Sequence, residues 1–146
     1  MTRARKLSLA IALSVASLSL ATPAAAAVMH VVKSASCGCC SKWVDHMRKA
    51  GHTVKVTNGD PSAEAARLGV PDELRSCHTA TVGRYTLEGH VPAENVARLL
   101  REKPSAAGLA VAGMPAGAPG MESSVKQPFE IILFAKDGKR RVFARH

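Results

Sequence analysis

Three of the four cysteines fall within four positions, Cys37-Gly38-Cys39-Cys40, between a short apolar run and an amphipathic one. The apolar run, Val28 to Lys33, reads as a strand, and Ser34-Ala35-Ser36-Cys37-Gly38 as a small-residue turn that feeds a helix. In that helix Cys40, Trp43, Val44, Met47 and Ala50 share one face and Lys42, Asp45, His46, Arg48 and Lys49 the other, with Gly51 closing it. The cysteines therefore sit at a helix start, beside free backbone N–H groups and the positive end of the dipole. Both favour thiolate over thiol.

His52 to Thr57, with Val54 and Val56 in alternation, reads as a second strand. Asn58-Gly59-Asp60-Pro61 turns into a second helix, Asp60 as N-cap and Pro61 at its first position, and Leu68-Gly69-Val70-Pro71 ends it. A short turn from Asp72 to Arg75 delivers Cys77 and His78, and Thr79 to Leu87 is β-rich. Pro92 then opens a helix with Val96, Leu99 and Leu100 inward, stopped by Pro104. This order, with cysteines at the start of the first helix, is that of thioredoxin-like domains. The expected fold is α/β, a thioredoxin-like βαβαβ core with helices flanking a small mixed sheet. In such folds the segment before the third strand faces the start of the first helix, which sets Cys77 opposite the cysteine run. Thioredoxins carry a proline there that keeps metal ions off the thiols; this chain has none, which by that resemblance argues against ordinary dithiol–disulfide exchange.

From Pro104 to Pro128 the composition changes to four Gly, four Pro and six Ala among 25 residues, without periodicity. A packed domain seldom carries so long a loop without a use for it. Phe129 to Ala135 and Arg141 to Ala144 read as a C-terminal hairpin across Asp137-Gly138, a pair that suits a type I′ turn. The basic tail, Lys139-Arg140-Arg141 with Arg145 and His146, reads as a solvated end.

Arg3, Arg5 and Lys6 precede an apolar run from Leu7 to Leu20 and the small residues Ala24 to Ala27, the pattern of a cleaved signal peptide over residues 1–27. The apolar core falls short of the ~18 to 20 residues of a bilayer span, so no stable membrane anchor is expected. Residues 28–146 would then form one exported, periplasmic domain in an oxidising compartment. Lys and Arg total 20 against 11 acidic residues, but three of those bases lie in the leader. With one Trp, one Tyr and three Phe and no densely basic helix, nucleic acid is not an expected partner.

The cysteines admit more than one chemistry. As structural disulfides, one bond from Cys77 to the run would close a loop of roughly 40 residues and contribute about 4 kcal/mol on a chain-entropy argument. The second would join two of Cys37, Cys39 and Cys40 as neighbours or across one glycine, too tight for the usual Cα separation. A single zinc normally takes two spaced pairs, which C-x-C-C does not supply. Thiolates that diverge from a helix start suit bridging, and Cu(I) is the soft ion that accepts bridging thiolates, low coordination numbers and thioether neighbours. A thiol–disulfide oxidoreductase using Cys37 and Cys40, the C-x-x-C pair inside the run, is the alternative. Met114 and Met121 in the long loop read either as residues that pack on the domain or as lid ligands. His78 stands between ligand, supporting donor and surface residue, whereas His30, His46, His52 and His90 read as surface histidines.

Three separated stretches together resemble the CopG-type periplasmic copper-resistance proteins. They are Val31 to Ala50 with Cys-Gly-Cys-Cys and Trp43, Leu68-Gly69-Val70-Pro71 into Ser76-Cys77-His78-Thr79, and Gly113-Met114-Pro115 through Pro119-Gly120-Met121-Glu122. The resemblance implies a thioredoxin-like fold and a cluster of several copper ions bridged by Cys37, Cys39, Cys40 and Cys77, with Met114 and Met121 as weaker ligands. It also implies a role in copper resistance, Cu(I)/Cu(II) interconversion as a copper oxidoreductase, and work beside other periplasmic copper-handling proteins.

Overall fold

A computed structural model of the protein describes residues 28–146; the expected signal peptide lies outside the described residues. Seven strands and three helices follow in the order β1 (Val28–Lys33), α1 (Gly38–Lys49), β2 (Thr53–Asn58), α2 (Pro61–Arg67), β3 (His78–Val82), β4 (Tyr85–Glu88), α3 (Ala93–Glu102), β5 (Gly108–Ala110), β6 (Glu130–Phe134) and β7 (Arg140–Arg145). They form one mixed sheet in the order β2-β1-β3-β4-β5-β6-β7. β1 and β2 run parallel, β3 runs antiparallel to β1, and β3 and β4 form a hairpin. These four strands with their helices are the thioredoxin-like core that the cysteine-bearing βαβ unit led one to expect.

The helices sit on opposite faces of the sheet. Trp43, Val44 and Met47 of α1 pack with Val96 and Leu99 of α3 on Met29, Val31, Leu87, Leu109 and Ile131. On the other face Ala65 of α2, with Val70 and Leu74, packs with Ala110 and Phe134. Strand alternation produces this division, since Ile131 and Phe134 in one strand point to different cores. Trp43 fills the centre of the first core and donates its indole N–H to the Val91 carbonyl at 2.9 Å, so the largest side chain leaves no buried donor unpaired. Asp60 caps α2, accepting from the Ser62 and Ala63 amides at 2.9 and 3.2 Å. Ala50 caps α1 and is exposed, so the buried face of that helix ends at Met47.

The sheet is larger than expected because part of the Gly/Pro/Ala segment is a strand. Gly108-Leu109-Ala110 is buried and joins β4, in parallel, to β6, antiparallel. Its composition conceals it, because the backbone approach excludes a side chain at Gly108, where a Cβ would meet the Thr86 carbonyl oxygen at 1.9 Å. The rest of the segment is a closed loop. Gly117 N–H donates to Met121 O at 2.7 Å, Met121 N–H to Ala118 O at 2.8 Å and Gln127 N–H to Ala116 O at 2.9 Å. The last hairpin differs from the type I′ expectation: Gly138 alone in the turn takes positive φ (+82°), and its N–H donates to Ala135 O at 3.1 Å. A type I turn followed by one left-handed residue connects these strands. The basic tail is β7 itself, with Arg145 paired to Glu130 and Arg140 to Glu73.

Candidate metal centre

The start of α1 builds one wall of the site. Cys37 is the N-cap, its Sγ accepting the Cys40 amide at 3.3 Å. No acidic side chain lies in the first turn to compete for the helix's positive end. Cys40 is buried, and Cys37 and Cys39 are partly exposed. Cys37 and Cys40 are joined as a disulfide with Cα atoms 5.4 Å apart, while Cys39 and Cys77 are free. This corrects the expectation that a bond inside the run must be too tight, because the C-x-x-C pair spans an ordinary disulfide distance. Cys40 Sγ also lies 3.3 Å from the Cys77 carbonyl, which accepts an S–H only after that bond is reduced.

The opposite wall is the entry to β3. The Sγ of Cys77 lies 3.9 Å from that of Cys39, which in turn is 3.5 Å from Cys37 Sγ. The four sulfurs of Cys37, Cys39, Cys40 and Cys77 lie within 4.8 Å of one another, so two remote stretches do converge. Burial, reinforced by the neighbouring Cys39, pushes the Cys77 thiol up to about 11. At neutral pH Cys77 is therefore a thiol, and any metal it binds must displace a proton.

His78 is completely buried, its ring 4.5 Å from that of Trp43, and Nε2 has no hydrogen-bond partner. Its Nδ1 lies 3.6 Å from Cys77 Sγ. Burial first, and His90 next, bring its pKa down to about 3. His90 is likewise fully buried, against the surface reading of its turn, with Nε2 3.0 Å from Cys77 Sγ and Nδ1 2.8 Å from the Pro119 carbonyl. Beneath both walls Glu88, also buried, accepts the Ser76 amide at 2.7 Å, with its other oxygen 2.7 Å from the Thr79 hydroxyl. Burial pushes its carboxyl up to about 7.

His90 and Glu88 are not marked as interior by their own sequence neighbourhood; the pairing of strands places them. The β3–β4 hairpin pairs Thr79 with Glu88, and carrying that antiparallel register outward sets Cys77 against His90. His30 is exposed and His46 half-buried, in keeping with their surface assignment.

The loop covers the site from one side. Ser76 donates to the Gly113 carbonyl at 2.6 Å, Pro119 is held by His90, and Glu122 accepts from Gly120 N–H at 2.8 Å while meeting His46 Nε2 at 2.6 Å. Gly120 presses on the helix start so closely that a Cβ would come 2.5 Å from the Cys39 carbonyl oxygen. Met121 follows it in chain and is half-buried, whereas Met114 is 55% exposed.

The fold and site thus define a thioredoxin-like domain whose cysteine cluster, at the start of α1 and the entry to β3, could hold a metal ion. Two solved structures match it along most of its length. Copper resistance protein CopG, form 2, is 36% identical with a TM-score of 0.78, the match covering 83% of this chain and 98% of that one. Form 1 is also 36% identical with a TM-score of 0.77, over 82% and 96%. The chain belongs to the CopG copper-resistance family. Residues 74–121, which include Cys77, His90 and both loop methionines, match a family described as a protein of unknown function, DUF411. No curated protein matches the chain.

Proposed function

We propose that the protein is an exported, periplasmic copper-binding protein that holds Cu(I) in a multinuclear thiolate cluster and contributes to copper resistance. The observation that carries this reading is the convergence of four sulfurs from two stretches of chain within 4.8 Å. The donor set fits the ion, since soft sulfur selects Cu(I) and thiolates can bridge several ions. Cys37, Cys39, Cys40 and Cys77 would hold the metal, with Met114, Met121 and His78 as further ligands. The likeness to the CopG structures supports copper as the cargo. Among the described residues no helix is long and apolar enough to cross a membrane. Exchange of copper with other periplasmic copper-handling proteins, and Cu(I)/Cu(II) interconversion by the bound metal, complete the proposal.

Loading the full sulfur set requires the Cys37–Cys40 bond to take up two electrons and two protons, after which the thiols release protons to the solvent as metal binds. Anaerobic copper titration of the reduced protein, with bound metal counted by mass spectrometry, should give more than one Cu(I) per chain. Failure to hold any copper against a chelator of moderate affinity would remove this reading.

A second reading has its own observation, the C-x-x-C disulfide at a helix start in a thioredoxin-like fold. A thiol–disulfide oxidoreductase would reduce insulin or refold scrambled substrates without metal. His78, in place of proline before Thr79, argues against it.

A further inference from the structure

We propose that the end of the sheet remote from the sulfur centre is a docking groove for an extended, acidic segment of a partner protein. The inference does not depend on which metal the centre holds.

Three adjoining depressions run along this end. The first lies between the start of β7 and the segment that leads into β5, and it shares Ser105 and Ala106 with the second. The second shares Arg84, Ala107 and Lys136 with the third, which reaches Arg67 at the end of α2. Small residues, Ser105, Ala106, Ala107 and Ala135, form much of the lining and leave room for a backbone to approach. β3 begins beside the sulfurs at His78 and ends beside the groove at Val82, so its length, roughly 15 Å, separates the two. A partner seated there leaves the sulfur centre uncovered.

Charge selects the occupant. Arg67, Arg84, Lys136, Lys139, Arg140 and Arg141 line the groove against a single carboxylate, Asp137. Arg67 pairs with Glu64, Lys139 with Asp137 and Arg140 with Glu73. Arg84, Lys136 and Arg141 have no carboxylate partner among the described residues. Arg84 is nevertheless fixed: its Nη2 donates to Tyr85 Oη at 2.9 Å and to the Lys103 and Pro104 carbonyls at 3.1 and 2.8 Å, and its guanidinium lies over the Tyr85 ring. None of these contacts is with an anion, so the positive charge is held in place and uncompensated. Three strand steps separate β4, which Arg84 precedes, from β7, which carries Arg141, a span of about 14 Å. One phosphate is too small to meet both ends, whereas about four residues of extended chain cover the distance. A membrane surface would call for apolar anchors, and the exposed large apolar side chains among the described residues, Val28, Val56, Met114 and Val125, all lie elsewhere.

The test is a fluorescence-anisotropy titration of the full-length mature protein into a labelled peptide in which glutamate alternates with serine. The expected result is saturable binding of one peptide per chain that weakens as added salt shortens the Debye length from about 30 Å to about 8 Å. Lys136→Glu combined with Arg141→Glu should weaken binding by roughly tenfold or more. Lys49→Glu combined with Lys55→Glu makes the same change in net charge at the end of α1 and in β2, the opposite edge of the sheet, and should leave the affinity within about twofold. If the groove reversal does not fold, as judged by its melting curve, Lys136→Gln with Arg141→Gln takes its place, with an expected loss of about threefold or more. Equal weakening by the groove and control pairs would overturn the inference, since net charge alone would then account for binding. Absence of saturable binding would overturn it too, as would capture by phosphatidylglycerol vesicles in place of the peptide, which would make the groove a membrane-facing surface.

Discussion

The two walls of the centre present sulfur in opposite environments. At the start of α1, Cys37 and Cys39 are partly exposed, Cys37 accepts a backbone N–H, and the helix dipole favours negative charge. Across from them Cys77, likewise partly exposed, is kept as a thiol by its partial burial and the neighbouring Cys39, and sits against two fully buried imidazoles. Once the Cys37–Cys40 bond is reduced, the first wall sets its sulfurs beside a helix N-terminus that favours negative charge, whereas the second resists charge until a cation supplies a positive partner. On the proposed reading, a soft cation would satisfy both walls, binding the sulfurs of the first and displacing the proton of Cys77.

This contrast can be broken most severely at Cys77, the thiol that the far wall contributes. Cys77→Ser replaces a soft donor by a hydroxyl and should lose most of the bound Cu(I), read as metal per chain in the reduced protein. Met114→Leu should leave that count unchanged and alter only the rate at which copper exchanges with a chelator, since the side chain is 55% exposed. Equal, small losses from the two substitutions would contradict the geometry.

Glu88 tests the second wall through pH. Thr79 has one hydroxyl hydrogen but two neighbouring acceptors, Pro61 O at 3.1 Å and Glu88 Oε2 at 2.7 Å. Both contacts are satisfied when Glu88 is protonated and donates to Thr79, in line with a carboxyl pushed up to about 7 by burial. In the unfolded chain the group titrates near 4.3. Between these values the folded protein holds more protons than the unfolded one, so this group's contribution is greatest at low pH and is lost as pH rises through about 7. Lowering the pH from 8 to 5 should therefore stabilise the protein by about 2.5 kcal/mol through this group. Glu88→Gln keeps an acceptor for Ser76 and a donor for Thr79, and should flatten that part of the urea-denaturation profile. An unchanged slope would show that Glu88 is ionised in the fold.

Gly120 joins the loop to the first wall, and its effect should be smaller. At φ +87°, with a Cβ predicted to lie 2.9 Å from Trp43 N as well as close to the Cys39 carbonyl, alanine forces the loop away from the helix. Gly120→Ala should cost about 1–3 kcal/mol in unfolding free energy and speed copper exchange, with the copper count retained. Slower exchange would mean that the loop does not cover the centre.

The difference between the walls also explains what could be read from residues alone. The first wall is local: small residues feed an amphipathic helix, and spacing puts Cys40 and Trp43 inward, so α1 was legible, while the position of Cys77 opposite it came from the likeness to thioredoxin-like domains. The second depends on pairing between strands. Nothing in Gly89-His90-Val91 marks the histidine as interior until the β3–β4 register places it against Cys77. Gly108-Leu109-Ala110 was hidden for a related reason, since its neighbours require a residue without a side chain, and such a strand lacks the alternating apolar pattern. The disulfide is a third case: C-x-x-C was visible as a pair, but its distance emerges only once the helix start is built.

The smallest effect should come from Glu122, which fastens the loop to the solvent side of α1. It meets His46 at 2.6 Å, accepts the Gly120 amide at 2.8 Å and lies 3.9 Å from Lys42 Nζ. The His46 contact, together with backbone N–H groups, brings its pKa down to about 2. A depressed carboxyl contributes above its unfolded value near 4.3 and loses that contribution as pH falls toward 2. Because these side chains are largely exposed, screening limits the gain, and Glu122→Gln should change global stability by less than about 1 kcal/mol at pH 7. The local effect should be clearer: with the charged acceptor gone, the Gly120 amide should exchange its hydrogen faster, while Cys77 and His90 remain as protected as in the parent. Uniform acceleration across both walls would show that the loop and the buried wall open together, and the distinction between a dynamic cover and a fixed interior would then fail.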